Sequence, residues 1–146
     1  MQFSALEEQM KNVQFRVGRI MAVRKDLDRR LSDDEGHSGW DIDAQVNVDV
    51  GVDKFQVIIT LTRDSFHDEI AVTIGGYFSL LSDISEFDSS QFEEFVVQSA
   101  IPRTLNVAMA HLDQAAKQIE AEPTPIPFEL ERNIRTTPFS AFLITH

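Results

Sequence analysis

The sequence predicts an α+β fold, in which a four-stranded antiparallel sheet carries a long C-terminal helix packed on one face. Three observations predict it. Apolar and polar residues alternate through consecutive segments between positions 40 and 80, which is typical of strands with one buried and one solvated face. Only tight turns separate these segments, so neighbouring strands pair as a meander. Helical periodicity begins after the last strand, so strands and helices occupy separate parts of the chain.

Composition narrows the class of protein. The chain has 146 residues, of which 42% are hydrophobic, and a formal net charge of −11. These values predict a single globular domain over residues 1–146. The absence of cysteine excludes disulfides and thiolate nucleophiles. The acidic balance argues against binding to nucleic acid or to anionic membranes, since both need a basic patch. No apolar run reaches about 18 residues and no export signal opens the chain, so we expect a cytoplasmic protein without membrane insertion.

The N-terminal part combines a helix, a strand and a loop. A Ser-x-x-Glu capping box predicts a helix over residues 1–12. The sheet is expected over residues 13–80. Its first strand covers Val13–Arg24, where the parity of the apolar residues changes near Gly18, and this change indicates a bulge. Residues 26–39 are rich in Asp, Arg, Ser and Gly, so we expect a long solvated loop.

Three further strands follow. In Trp40–Val52 every even-numbered residue is apolar and every odd-numbered residue is polar or glycine. The next two strands are expected over Phe55–Arg63 and Phe66–Leu80, because apolar residues again fall on one face. The pair Gly75-Gly76 interrupts the last of them, which indicates a bend or a close approach of another backbone.

Helices are expected over residues 88–134. Pro102 suits a first helical turn, and apolar residues then recur at helical spacing from Leu105 to Ile119. This spacing predicts the main helix, with its apolar face on the sheet. Residues 135–146 form an apolar tail. Three positions of the tail are compatible with the sequence: against its own subunit, against a neighbour, or as a plug in a binding groove.

Motifs for catalysis or cofactor binding do not occur. The four histidines are not at metal-ligand spacing, and neither a phosphate-binding glycine loop nor a G-x-S-x-G motif is present. Nothing in the sequence indicates that carboxylates sharing a face, such as Asp41 and Asp43, are desolvated, so general acid catalysis is not supported. We therefore expect a protein that is not an enzyme and that needs no cofactor and no metal.

The supply of apolar surface points to binding instead. The chain has eleven Phe but one Trp and one Tyr. The longest strands would extend about 40 Å at ~3.3 Å per residue, and one main helix with a short partner cannot cover such a sheet. The uncovered area predicts an oligomer or an apolar partner.

Three short motifs carry a resemblance to a known family. Residues 74–80 read Ile-Gly-Gly-Tyr-Phe-Ser-Leu, residues 100–105 read Ala-Ile-Pro-Arg-Thr-Leu, and residues 123–128 read Pro-Thr-Pro-Ile-Pro-Phe. In this order and spacing they resemble the SecB protein-export chaperones over roughly residues 13–130. The resemblance implies a SecB-like four-stranded sheet under a long helix. It also implies a homotetramer built as a dimer of dimers, and an ATP-independent holdase that binds unfolded polypeptides in apolar grooves.

The resemblance also implies site residues. The client-binding grooves would draw on Trp40, Ile42, Phe55 and Phe78. Subunit assembly would use the strand positions Ile70, Val72 and Ile74. The carboxylate with which the family contacts the SecA translocase is replaced by Ala71. An acidic row could substitute as a partner-facing surface, or could only keep the sheet soluble: Asp41, Asp43 and Asp49.

This replacement indicates a divergent member of the family. Its partner is then either the SecA translocase or an antitoxin of a toxin–antitoxin module, besides unfolded clients. Two other functions fit the same apolar excess. One is a domain that encloses a small apolar ligand between sheet and helix. The other is an adaptor that recognises one protein only.

Overall fold

The described structure is an antiparallel sheet covered on one face by helices. The computed structural model describes residues 6–25, 40–65, 67–121 and 128–143. The sheet has four strands, as predicted, and their order is β1-β4-β3-β2. The strands are β1 (Met10–Arg24), β2 (Trp40–Val50), β3 (Lys54–Ser65) and β4 (Asp68–Leu80). The helices are α1 (Ser89–Phe95), α2 (Ile101–Gln118) and α3 (Phe128–Thr136).

Strand β1 differs in its start from the prediction and agrees in its irregularity. It begins at Met10, within the helix expected over residues 1–12, and helical backbone is described only at 6–8. Its pairing with β4 shifts register between Val17 and Arg19, so the bulge expected near Gly18 is confirmed. The predicted loop over 26–39 lies outside the described residues.

Strands β2, β3 and β4 form the predicted meander in continuous antiparallel register. Strand β1 returns beside β4, so β1 and β2 are the two edge strands. The inward-facing residues of β3 and β4 are buried, including Phe55, Ile59 and Phe78. The alternation of apolar and polar residues therefore identified the core face correctly, because successive side chains of a strand point to opposite faces of the sheet.

The close approach expected at the glycine pair is confirmed at Gly76. A Cβ there would lie 2.5 Å from Thr104 Oγ1 on α2 and 3.0 Å from Phe78 Cε2. Only glycine lets the helix reach the sheet at this point. The strand itself continues through both glycines.

The helical layer is continuous from Ser89 to Gln118, with a π-helical turn at Val96–Ala100 between α1 and α2. Pro102 stands in the first turn of α2 as predicted. Because proline has no backbone N–H, the turn before it loses a regular hydrogen bond, which accounts for the irregular turn. Helix α2 packs chiefly on β4 and β3.

The C-terminal segment packs on its own subunit. Helix α3 extends to Thr136, beyond the expected boundary at residue 134, and a 3₁₀ turn follows at Phe139–Phe142. Phe142 is buried in the core. Leu143 then forms an isolated parallel bridge with Val48 of β2. The described part of the predicted tail 135–146 therefore reaches the outer edge of β2 at Leu143.

Candidate functional site

A groove with apolar walls lies where β2 ends, and we call it the apolar groove. Its volume is about 430 Å³. Strand β2, the segment before α1, α1 itself and the C-terminal segment each supply part of its wall. It is lined by Val50, Ile84, Ser85, Phe87, Ser89, Phe92, Glu93, Phe139 and Leu143.

Two capped turns hold the segment before α1 in the groove wall. Asp83 accepts hydrogen bonds from the Ser85 backbone N–H (2.9 Å) and from Ser85 Oγ (2.9 Å). These bonds lower the pKa of the Asp83 carboxyl. The Ile84 backbone N–H donates to the Val52 carbonyl at 2.8 Å, which fastens the segment to the β2–β3 turn. Asp88 caps α1 by accepting from the Ser90 N–H.

Aromatic side chains join the groove to the core. The Phe92 and Phe139 rings meet edge to face with centroids 6.0 Å apart, and Phe92 meets Phe55 in the same way at 5.2 Å. Phe92 is buried, whereas Phe87 and Phe139 are half-buried. The groove therefore has a fixed aromatic floor and side walls that remain accessible.

Polar groups lie at the rim of the apolar groove. Ser85, Ser89 and Glu93 are exposed. Among the described residues that line it there is no lysine, arginine or histidine, so these residues offer no ion pair to an acidic ligand. A ligand that entered the groove would gain roughly 25 cal/mol for each Å² of apolar surface removed from water, and Glu93 would attract a basic group beside it.

Two of the predicted client-binding residues lie in the core. Phe55 and Phe78 stack with their ring centroids 4.9 Å apart and are 3% and 0% exposed. Both residues nevertheless contribute to the lining of a cavity at the β2–β3 turn. Ile42 is half-buried on the inner face of β2. Trp40 begins β2, and its side chain lies outside the described residues.

The residues predicted for subunit assembly lie in the core of the subunit. Ile70, Val72 and Ile74 are each 0% exposed, because they face the helical layer. Their side chains offer no surface to a second subunit. Exposed apolar side chains occur instead on the neighbouring edge strand, at Phe15 and Val17 of β1.

The acidic row lies on the outer face of the sheet, away from the helices and from the apolar groove. Asp41 and Asp43 are exposed, and Asp49 is half-buried and accepts from Gln56 Nε2 at 3.4 Å. Ala71 is on the same face, two strands away. A second cavity of about 340 Å³ lies at the β2–β3 turn and includes Asp49, Gln56 and Tyr77 in its lining.

Sequence reasoning missed most of the groove residues, since no strand or helix periodicity marks the short segment between β4 and α1. Ile84 and Phe87 stand between the capping residues Asp83 and Asp88. The signal that could have found them is the repeated acid followed two positions later by serine, which predicts capped turns that present the apolar residues between them.

The described residues contain no cluster of three His, Asp or Glu side chains that could hold a metal ion. None of the helices in the described ranges combines the length and apolar character that a membrane span requires.

Comparison with solved structures shows a SecB-like fold. The Mycobacterium tuberculosis SecB-like chaperone Rv1957, in complex with a ChAD peptide from the antitoxin Rv1956 HigA1, superposes with a TM-score of 0.61 at 9% identity. The match covers 86% of this chain and 91% of that chain. A protein of unknown function from Streptococcus agalactiae matches with a TM-score of 0.41 at 12% identity, over 82% of this chain and 98% of that one. By sequence, no family model and no curated protein matches.

Proposed function

We propose that this protein is an ATP-independent holdase, which binds segments of unfolded polypeptides in the apolar groove. The observation that carries the proposal is an accessible apolar groove on a SecB-like fold. A non-native chain exposes aromatic and aliphatic side chains, and the groove offers matching surface at Val50, Ile84 and Phe87. Because the groove makes few polar demands, it tolerates many client sequences.

Dilution of a urea-denatured client into the protein tests the proposal. Light scattering should show that the wild-type chain prevents aggregation. Phe87→Ser should weaken this protection at least ~5-fold, because burial of an aromatic ring contributes about 1.5–3 kcal/mol. Leu81→Ser is the matched control, since Leu81 is 63% exposed and does not line the groove. A client that aggregates equally with and without the wild-type protein would refute the holdase.

An adaptor for a single protein segment is the second candidate. The neighbouring structure holds a peptide from an antitoxin, which supports a partner of this kind for the present chain. The same dilution assay separates the two functions. A holdase protects chemically different clients, whereas an adaptor ignores them all and binds one segment.

Assembly through β1 is a further part of the proposal. Phe15, Val17 and Ile20 face the helical side of this edge strand and are 37%, 47% and 44% exposed. A second copy paired along β1 would cover them and would double the sheet. A tetramer, as a dimer of such dimers, is the expected form.

The mass in solution tests this assembly. We expect a mass near four subunits, and a shift toward assembly with added salt, because each chain carries a net charge of −11 and salt screens the repulsion. Val17→Asp should shift the mass toward the monomer, whereas Val52→Asp at the exposed β2–β3 turn should not. A wild-type monomer at every salt concentration would contradict the proposal.

The outer face remains as a surface for a different kind of partner. Exposed Asp41 and Asp43 would attract a basic segment, such as one of the SecA translocase. The same charges also serve solubility. A cytoplasmic location, where unfolded clients arise, accompanies the proposed function.

A further inference from the structure

The C-terminal segment occupies an edge at which an extended peptide could dock. Within the described sheet β2 is an edge strand, and its outer backbone groups are available for another strand. Leu143 meets this edge through its parallel bridge with Val48. Four residues earlier, Phe139 rests on Phe92 inside the apolar groove. One short segment thus touches both the edge and the groove.

We propose that Phe139–Leu143 holds the place of a client and is displaced when a client binds. This inference rests on the holdase proposed above and deepens it. The client segment that replaces the tail would run parallel to β2. It would present an aromatic residue, a second aromatic three positions later, and an aliphatic residue directly after it, as Phe139, Phe142 and Leu143 do.

The spacing follows from local geometry. Phe139–Phe142 is a 3₁₀ turn, in which residues three apart lie on one side. Both rings therefore point toward the protein, while Ser140 and Ala141 between them are exposed. Leu143 has extended backbone with φ −68° and ψ 137°, as strand pairing requires. Main-chain pairing would fix the direction of the client, and the two rings would provide selectivity.

The partial exposure of Phe139–Leu143 would allow a client segment to replace it. Leu143 is 40% exposed and Phe139 is half-buried, whereas Phe142 is 6% exposed. The two ends are held weakly and the middle is held firmly. A segment of this kind closes the site for part of the time and lowers the apparent client affinity by the fraction of molecules that are open.

A disulfide between positions 48 and 143 tests whether Phe139–Leu143 must leave before a client binds. The chain has no cysteine, so Val48→Cys with Leu143→Cys gives one defined bond. Adjacent strands lie about 4.8 Å apart, within the Cα separation of about 4.4–6.8 Å that a disulfide spans. A fluorescent, permanently unfolded client should bind the oxidised variant at least ~10-fold more weakly than the reduced variant.

The matched control places the disulfide between two strands of the sheet and leaves Phe139–Leu143 unconstrained. Thr60 and Thr73 are paired across β3 and β4, with their Oγ1 atoms 3.1 Å apart on the outer face. Oxidised Thr60→Cys/Thr73→Cys should bind the client as its reduced form does. The inference would be overturned if the oxidised and reduced forms of Val48→Cys/Leu143→Cys bound the client equally well. It would also be overturned if oxidation weakened client binding to the control variant by the same factor.

A peptide competition supplies the second readout. The synthetic peptide Thr137–Leu143 should displace the labelled client from the wild-type chain, and a peptide with both phenylalanines changed to serine should not. Client binding that neither peptide affects would refute the tail as a client mimic while leaving the holdase intact. Absence of client binding in every reduced protein would refute the holdase and, with it, this inference.

Discussion

Replacing Arg63 by leucine is expected to lower the free energy of unfolding by about 3–5 kcal/mol, because a buried carboxylate then loses its charged partner. Arg63 Nε donates to Asp68 Oδ1 at 3.0 Å, and the terminal NH2 group donates to Asp68 Oδ2 at 2.9 Å. The two side chains are 1% and 5% exposed. They close the β3–β4 hairpin, whose turn Ser65 also supports by accepting from the Asp68 N–H.

A neighbouring ion pair gives the control for this prediction. Lys25 Nζ lies 2.8 Å from Asp64 Oδ1 at the same end of the sheet, and both side chains reach solvent. Lys25→Ala should therefore cost less than about 1 kcal/mol. Urea unfolding followed by circular dichroism compares the variants. The double change Arg63→Leu/Asp68→Leu should recover most of the loss, since no unpaired charge remains. An Arg63→Leu protein as stable as Lys25→Ala would show that the buried pair contributes little.

The sheet was predictable because its information is local. Alternation along β2, β3 and β4 reports which face is dry, and short turns leave antiparallel pairing as the simple connection. The bulge at Gly18 and the tight approach at Gly76 were also visible, since each changes a local pattern. The start of β1 was not, because the apolar residues near Met10 suit a helix and a strand equally well.

The apolar groove could not be predicted from local sequence patterns. Its walls combine Val50, Phe87 and Phe139, and the last of these reaches the site only because the chain returns to the edge of β2. Apolar periodicity within one segment does not predict a contact between segments that are far apart in the sequence. The same limitation applies to the predicted client-binding and assembly residues. An aromatic or branched residue on the dry face of a strand fits a core, an interface or a groove equally. Phe78 and Ile74 went to the core because α2 covers β4.

Phe55→Ala is expected to lower the free energy of unfolding by about 3–5 kcal/mol, as is usual when a buried aromatic side chain is truncated. Phe55 stacks on Phe78, and it meets Phe92 at 5.2 Å and Phe95 at 6.3 Å edge to face. One truncation therefore removes contacts between the sheet and both the middle and the C-terminal end of α1. Val52→Ala, at a position 68% exposed, should change the unfolding midpoint little.

Phe55→Leu separates this core role from the client-binding role that the sequence suggested. Leucine fills much of the space, so the protein should remain folded with a smaller loss of stability. Because the Phe55 side chain is 3% exposed, client affinity measured at a temperature where the variant is fully folded should equal that of the wild type. Client affinity that falls while the unfolding transition is unchanged would return Phe55 to the binding surface. It would also mean that the sheet and α1 open to admit a client, since the closed structure leaves that ring no surface to offer.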